Sequence, residues 1–287
     1  MKEKLVVSKK VVVLHPKSQC VGKMNKGKTL VLLAFLVAAS LASAQENDSS
    51  AVMTDKVFTV GGVTFCMKPV PGGTFTMGAA EVHRKAAEPD ERPAHEVTVS
   101  TFYMGETEVT QALWVAVMGD NPSYFRGNDL PVQNVSYNDI TKVFLPRLER
   151  MTGQKFRLPT EAEWEFAASG GHTAETMYSG DYNYSHVAWY VKNSAGHPHQ
   201  VKTKQPNELG LYDMSGNVWE WCSDWYGANY YSSDPQTDPQ GPMSGTDRVQ
   251  RGGGWYSNEK SCRVSYRGYT NPGHRHNFLG FRIACCP

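Results

Sequence analysis

The sequence predicts an α+β fold with little regular secondary structure. Its first half contains two or three helical patterns. The residues after Gly171 are rich in Gly, Asn, Asp and aromatic residues and show only short strand-like runs. With 287 residues, 40% of them hydrophobic and 20% charged, the composition is that of a globular protein. Long ordered loops must be stabilised by something, and calcium, buried aromatic residues and disulfides are the available devices.

Two of the predicted helices have clear signals at both ends. In the stretch TQALWVAVMG, Thr110 is the expected N-cap and Gly119 the expected stop, with apolar residues on one face between them. In the stretch LPTEAEWEFAASGG, Thr160 is the expected N-cap, Glu163 completes a capping box and Gly170 follows the last turn. Both boundaries rest on local chemistry and should hold in the folded protein.

The remaining helix has a proline inside it. Ser136 and Asp139 have capping-box spacing, and the pattern ends at Gly153. Pro146 lies between these ends, lacks a backbone N–H, and should kink or split the helix.

Short strands are predicted on both sides of the helical region. Residues 63–78 contain two of them around a Pro-Gly-Gly turn. Residues 81–96 are polar and interrupted by proline, which indicates a surface loop, and strand alternation resumes after them. Towards the C-terminus, strands are predicted at 249–251 and 281–284.

A targeting segment is predicted near the N-terminus. Residues 24–44 combine two early lysines, an apolar run from Leu30 to Leu41 and an Ala-Ser-Ala cleavage site, which is the pattern of a signal peptide cleaved near Ala44. Residues 1–23 are interpreted as a mis-called extension, residues 45–56 as a flexible leader and residues 57–287 as one domain. We therefore expect an exported protein, periplasmic or extracellular, without a stable membrane anchor.

The charge balance gives no reason to expect a polyanionic partner. The formal net charge is +1, and no basic tract interrupts the body of the chain. Neither nucleic acid nor an anionic membrane surface is expected to bind such a chain.

The cysteines leave an open question. Five remain after the signal peptide: Cys66, Cys222, Cys262, Cys285 and Cys286. Export permits disulfides, and an odd number leaves at least one thiol free or paired between chains. Cys262 closes the stretch RGGGWYSNEKSC, and the sequence allows it to be a catalyst, a metal ligand or half of a disulfide.

The densest chemical signal is GLYDMSGNVWEWCSDWYG, residues 210–227. Asp213 and Glu220 are carboxylates on either side of the turn residues Gly216 and Asn217. Oxygen ligands on a bent loop suit a hard cation such as Ca²⁺. Alternatively, the two carboxylates cap turns and the neighbouring tryptophans belong to the core.

Two further sets of residues are candidates for chemistry. His197 with His199, and His274 with His276, are spaced like metal-ligand pairs, but neither pair has a third ligand at a suitable spacing, which favours solvated loop histidines. The carboxylates of EAEWE have the spacing of a first helical turn, where they complement the helix dipole.

A run of motifs gives a family resemblance. They occur in the following order: FTMG, ETEVTQALWVAVMG, PVQNVSYND, FRLPTEAEWEFAA, GLYDMSGNVWEWCSDWY, RVQRGGGW, CRVSYR and LGFRIA. From Val57 to Ala284 the chain therefore resembles the formylglycine-generating enzyme (sulfatase-modifying factor) family. The resemblance implies a C-type-lectin-like α+β fold with low secondary-structure content, which agrees with the fold class predicted above.

The resemblance also implies a structural Ca²⁺. The family holds one in the matching loop, so the side chains of Asp213 and Glu220 and the backbone carbonyls of Gly216 and Val218 are the expected ligands. Asp213 stands where the family's enzymes have an amide, a change that keeps an oxygen ligand.

For catalysis the resemblance is incomplete. The family's enzymes use O₂ to oxidise a sulfatase cysteine to formylglycine, and they bind Cu⁺ through two cysteines five positions apart. Cys262 matches the second of these positions, but Ser257 matches the first, and Gly254 stands where the enzymes have a serine. A hydroxyl is a hard, neutral ligand that cannot replace a soft thiolate on Cu⁺.

Two functions follow from this comparison. The favoured one is an exported, calcium-stabilised binding or assembly module for a protein or peptide partner, with a sulfatase as one candidate. The alternative is a formylglycine-generating oxidase that uses Cys262. A Cys222–Cys262 disulfide would support the first and a nearby second thiol the second. Pairing of Cys66 with Cys285 or Cys286 is a further candidate, and Cys262 could also be a buried, reduced thiol.

Overall fold

The computed structural model describes residues 53–79, 85–172 and 176–287. The predicted extension, the signal peptide and most of the leader lie outside these residues. Among the helices of the described residues, none is long and apolar enough for a membrane crossing.

Within these ranges the strands are short and spread over several small sheets. They are β1 (Lys56–Val60), β2 (Val63–Val70), β3 (Gly73–Met77), β4 (His95–Val99), β5 (Phe102–Gly105), β6 (Ala188–Trp189), β7 (Ser215–Gly216), β8 (Trp219–Trp225), β9 (Gln236–Thr237), β10 (Arg248–Arg251), β11 (Gly268–Thr270), β12 (Leu279–Gly280) and β13 (Ala284–Cys285). The helices are α1 (Gln111–Met118), α2 (Tyr137–Asp139), α3 (Leu145–Thr152), α4 (Glu161–Ala168) and α5 (Tyr184–Val187). The mixture confirms the predicted α+β class.

The sheets bring distant parts of the chain together. One four-stranded sheet has the order β1-β2-β5-β13, with each neighbouring pair antiparallel, so the last strand lies beside a strand from the beginning of the domain. A second has the order β11-β10-β8-β12, and β3-β4-β9 and β6-β7 form smaller sheets. In the second sheet Arg251 of β10 lies opposite Glu220 of β8. This pairing places the glycine-rich stretch, which starts at Arg251, beside the segment of residues 213–220, which we call the acidic loop.

The predicted caps of α1 and α4 are confirmed. The backbone N–H of Leu113 donates to Thr110 Oγ1 at 3.2 Å, and Gly119 closes the helix at a φ of 89°. At α4, the N–H of Glu163 donates to Thr160 Oγ1 at 3.1 Å, and the N–H of Thr160 donates back to the Glu163 carboxylate at 2.9 Å.

The proline-containing helix is split, as predicted. The capping box of Ser136 and Asp139 begins α2, a π-helical turn over Ile140–Phe144 follows, and α3 has Pro146 in its first turn. Proline cannot donate the backbone hydrogen bond of a continuous α-helix, so the chain changes its helical pitch just before it.

The core is divided into clusters between these layers. One cluster lies between the first sheet and α1 to α3, and it includes Phe144, Trp221 and Phe281. A second packs α4 against β3 and β4 and contains Trp164. A third, smaller cluster contains Cys262 with Tyr178 and Tyr190. Buried aromatic residues thus stabilise much of the irregular chain.

Two sequence-based expectations need correction. In the described part of the predicted surface loop, residues 85–96, Glu91 is completely buried and its carboxylate pairs with Arg263 at 2.6 Å, so this stretch is not simply a surface loop. A polar sequence can be buried where a distant cation compensates its charge. Near the C-terminus, the predicted strand at 281–284 is replaced by β12 and β13, which flank Phe281–Ile283.

Candidate functional site

Ser257 lies in the loop after β10, and its hydroxyl is already engaged. Its Oγ accepts hydrogen bonds from Trp219 Nε1 at 3.1 Å and from the backbone N–H of Gly254 at 3.0 Å. The side chain is buried. The hydroxyl therefore acts as an acceptor that joins the glycine-rich turn to β8.

Cys262 is a completely buried thiol. Burial, with a smaller contribution from the negative charge of Glu259, raises its pKa to about 12. It packs in the third core cluster, next to residues such as Tyr178 and Val187. A thiol in this environment stays protonated at neutral pH, whereas both nucleophilic attack and metal binding need the thiolate.

The expected disulfides are not formed. All five cysteines of the described chain are free thiols. Cys222 belongs to the core cluster around α4 and Cys262 to the separate cluster around Tyr178, so the proposed Cys222–Cys262 pair is wrong. Cys66 lies on β2 and Cys285 on β13, and β5 separates these two strands. Cysteines that could pair by count form a disulfide only where the fold brings their sulfur atoms together.

Asp213 has one unsatisfied oxygen. The residue is buried and has a left-handed φ of 58°. Its Oδ2 accepts a hydrogen bond from the backbone N–H of Lys202 at 2.9 Å, whereas its Oδ1 has no hydrogen-bond partner. Burial raises the pKa of Asp213 to about 6. A buried carboxylate oxygen without a donor costs free energy unless a proton or a cation satisfies it.

The carboxylate of Glu220 is paired with the guanidinium of Arg282. Arg282 donates to both of its carboxylate oxygens at 2.6 Å, and Trp164 Nε1 donates to it at 2.7 Å. Both Glu220 and Arg282 are completely buried. This charge-assisted pair positions the end of the acidic loop against the C-terminal segment.

Glu108 is a residue of this site that the sequence analysis missed. It is buried, and it accepts weakly from the backbone N–H of Val218 and from Asn217 Nδ2, each at 3.3 Å. Burial raises its pKa well above the usual range, and the nearby charges of Asp213 and Glu220 add to this effect. Glu108 belongs to the ETEVTQ motif, and no spacing rule connects that motif with Asp213.

These residues are compatible with a bound Ca²⁺. Asp213, Glu108 and Glu220 are three buried carboxylates, and of these three Arg282 forms hydrogen bonds with Glu220 alone. Ionisation of all three would therefore leave negative charge in excess, which a cation would offset. The free Oδ1 of Asp213 gives a cation a ligand. No group of three or more His, Cys, Asp or Glu side chains in the described ranges is arranged to hold a metal. Backbone carbonyls such as those of Gly216 and Val218 would have to complete the coordination.

The two histidine pairs are only partly the solvated loops that were predicted. His197 and His274 are exposed, in agreement with the prediction. His199, however, stacks on Trp189 with ring centroids 3.7 Å apart, and His276 stacks on Phe278 at 4.7 Å. These stacked aromatic rings keep the imidazoles of His199 and His276 half-buried.

The carboxylates of α4 do more than face the helix dipole. Glu161 is buried and pairs with Arg251 at 3.0 Å and with Arg267 at 2.7 Å. Glu165 also pairs with Arg251. This buried network fixes Arg251, the residue that precedes the three glycines, and thereby positions the loop that carries Ser257.

The chain belongs to the sulfatase-modifying factor family, because the family model described as "Sulfatase-modifying factor enzyme 1-like domain" matches residues 64–286. The predicted family and fold are therefore confirmed.

Individual relatives carry different names. The chain is similar to the chaperone protein LppX of Paenibacillus barcinonensis, with 31% identity over 84% of this chain and 92% of the relative. It is also similar to the formylglycine-generating enzyme of Streptomyces coelicolor, with 32% identity over 75% of this chain and 87% of the enzyme. Among solved structures, Treponema denticola variable protein 1 matches with a TM-score of 0.75 and 35% identity over 82% of this chain and all of that protein.

Proposed function

We infer that this protein is a binding or assembly module for an exported protein or peptide and that it does not oxidise cysteine. The observation that carries this inference is the environment of Ser257. The residue stands at the position of the first copper cysteine, and its hydroxyl accepts hydrogen bonds from Trp219 and Gly254. An oxygen in this role offers Cu⁺ neither a soft ligand nor a negative charge.

The state of Cys262 supports the same inference. Cys262 would offer Cu⁺ only one thiolate, because position 257 carries a hydroxyl and Cys222 lies in a different core cluster. The alternative remains a formylglycine-generating oxidase, which the similarity to the Streptomyces coelicolor enzyme favours. That enzyme chemistry would need a copper site that includes Cys262 and a ligand other than a thiolate at position 257.

The relative named as a chaperone supports a partner that is itself a protein. LppX and this chain align over 84% of this chain and 92% of LppX. We expect the partner to be exported with this chain, and a sulfatase is one candidate. Residues 24–44, which have the pattern of a signal peptide, motivate the assignment to the periplasm or the extracellular space.

We assign a structural Ca²⁺ to the acidic loop within the same proposal. Asp213, with its unpartnered oxygen, and the carbonyls of Gly216 and Val218 would hold the ion, and Glu108 and Glu220 would supply further negative charge. A bound divalent cation would offset the repulsion between these buried carboxylates and stabilise the loop. It would serve folding and have no part in a reaction.

Copper binding tests the proposed function. Purified mature protein is titrated with Cu⁺ against a chromophoric Cu⁺ chelator, together with the variants Ser257→Cys and Ser257→Ala. We expect the wild type and Ser257→Ala to leave the chelator complex intact, whereas Ser257→Cys restores a pair of thiols and withdraws copper. Withdrawal of one equivalent of Cu⁺ by the wild type would contradict the proposal and favour the oxidase.

A further inference from the structure

Aromatic rings form a continuous chain on the surface next to Ser257. His276 stacks on Phe278, whose ring lies 4.4 Å from that of Tyr256. Tyr256 contacts Trp255 at 5.5 Å, and Trp255 contacts Phe125 edge-on at the same distance. Tyr256 is 46% exposed, so much of its ring is available for contact with another molecule.

The chain of rings continues on the other side of Phe125. The ring of His197 lies 6.4 Å from Phe125 and 4.6 Å from His199, which in turn stacks on Trp189. We call the whole row, from His276 through Phe125 to Trp189, the aromatic ridge. Its residues come from separate segments of the chain, so the row is produced by the fold and is not a single aromatic run in the sequence.

The charges along the aromatic ridge have one sign. Lys204 lies over the ring of Trp189 at 4.0 Å. The imidazoles of His197 and His199 turn towards backbone carbonyls, those of Pro198 and Ser194, at 3.0 and 2.9 Å. None of the ridge residues is an aspartate or glutamate. The carboxylate of Asp213, which interacts electrostatically with Lys204, is buried beneath the surface, and Asp139 is paired with Arg275 at 2.7 Å.

These features restrict the chemistry of a partner. A row of flat, half-exposed rings suits an extended segment that lays apolar or proline side chains on them, as in other aromatic-lined peptide grooves. Imidazoles and an ammonium group on the surface, with the carboxylate that acts on Lys204 buried, favour negative charge on that segment. A basic segment would find no counter-charge here.

We propose that the aromatic ridge is the docking surface for an extended acidic peptide segment of the partner. In this complex, apolar or proline side chains of the segment pack on Phe125, Trp255 and Tyr256, and its carboxylates face the histidines and Lys204. This proposal rests on the proposed function, because it names the chemistry of the partner that the module binds.

The test uses a defined probe and matched variants. Fluorescence polarisation measures the binding of a labelled peptide of alternating glutamate and proline to the mature protein, and a lysine–proline peptide serves as the charge control. Tyr256→Ala removes an exposed ring of the ridge. The matched control is Tyr269→Ala. The ring of Tyr269 is 52% exposed and stacks on Tyr226, which is not part of the ridge.

We expect the acidic peptide to bind, the basic peptide not to bind, and Tyr256→Ala to weaken binding about 10-fold or more, as for an aromatic residue central to an interface. Tyr269→Ala should bind like the wild type. Equal binding of both peptides, or an unchanged affinity of Tyr256→Ala, would overturn the proposal. Binding of a uronic acid polymer in place of the peptide would also overturn it, because it would make the ridge a glycan site.

Acidification provides a second readout. Burial holds the pKa of the two half-buried imidazoles, His199 and His276, below the usual value of 6.5. His197 and Lys204 add to this effect at His199, and His274 adds to it at His276. Asp213 acts on Lys204 from a buried position, and Arg275, which precedes His276 in sequence, pairs with Asp139. Binding of the acidic peptide should therefore strengthen as the pH falls from 7.5 to 5.5, and weakening over that range would count against the ridge.

The two proposals fail in different ways. Loss of peptide binding in a protein that still binds no Cu⁺ would remove the aromatic ridge and leave the binding module. Copper binding by the wild type would remove the binding module whatever the peptide does.

Discussion

A β carbon on Gly253 would lie 2.8 Å from Sγ of Cys262. Gly253 also has a φ of 74°, a conformation that residues with side chains rarely adopt. The glycine-rich stretch is thus packed directly on the buried thiol, and the two are parts of one structural unit. Gly119 has a similar φ of 89°, but a β carbon there would meet nothing within 4 Å.

This contrast predicts the effect of alanine at each position. Gly119→Ala should cost only the strain of the left-handed backbone, about 1 kcal/mol. Gly253→Ala adds a clash with Cys262 and should lower the free energy of unfolding by about 1–3 kcal/mol more. Urea unfolding of the two variants measures the difference. Equal losses would show that the loop moves away from Cys262 without cost.

The ion pair between Arg282 and Glu220 makes a second prediction. Arg282→Ala leaves the Glu220 carboxylate buried without its cation and should lower the free energy of unfolding by about 3–5 kcal/mol. Arg275→Ala breaks a similar bidentate pair with Asp139 that is half exposed, and it should cost less than about 1 kcal/mol. Comparable losses in the two variants would mean that the buried pair is not the stronger constraint.

Asp224 predicts a pH dependence of stability. Burial, and then the charge of Glu161, raises the pKa of Asp224 from its usual 3.8 to about 7. Between these two values the folded protein retains a proton that the unfolded chain has lost. The free energy of unfolding therefore falls as the pH rises through this window, and the full cost applies above pH 7.

Asp224→Asn removes this titration and keeps an acceptor for the backbone N–H of Glu161. Relative to the wild type, the variant should be stabilised more at pH 8 than at pH 5, by roughly 2–3 kcal/mol, because about two pKa units of the shift are expressed between these pH values at about 1.4 kcal/mol per unit. Urea unfolding at both pH values measures this, with the exposed Asp129→Asn as the control. A stability difference that does not change with pH would contradict the prediction.

Removal of Ca²⁺ tests the acidic loop. We expect Tm of the wild type to fall when calcium is chelated, because an ion that binds only the folded state stabilises it by mass action. In Asp213→Ala, which lacks the free carboxylate oxygen, Tm should no longer respond to calcium. Asp224→Asn should respond like the wild type. A wild-type Tm that is the same with and without calcium would exclude the proposed ion.

Local chemistry made much of the fold predictable. The caps at Thr110, Ser136 and Thr160 depend on residues three positions away, and the break before Pro146 depends on one missing N–H, so the sequence pattern shows them directly. The family resemblance then identified the acidic loop and the serine that replaces a cysteine.

The interactions that fix the site could not be predicted in this way. Arg263 pairs with Glu91, and Arg282 with Glu220, across large separations in sequence, and no periodicity connects the partners. The same is true of Glu108 beside Asp213. The disulfide prediction went wrong for a related reason, since the number of cysteines is visible in the sequence but the distances between their sulfur atoms are set by the packing of separate cores.

The most direct test of the missing thiol pair is turnover. The mature protein is incubated with Cu⁺, O₂, a reductant and a peptide that contains the sulfatase motif C-x-P-x-R, and the peptide is analysed by mass spectrometry. The formylglycine-generating enzyme of Streptomyces coelicolor serves as the active control. We predict that the cysteine stays intact with this protein while the control converts it. Conversion of the cysteine to the aldehyde by this protein would contradict the binding-module function and show that Ser257 is compatible with a catalytic metal site.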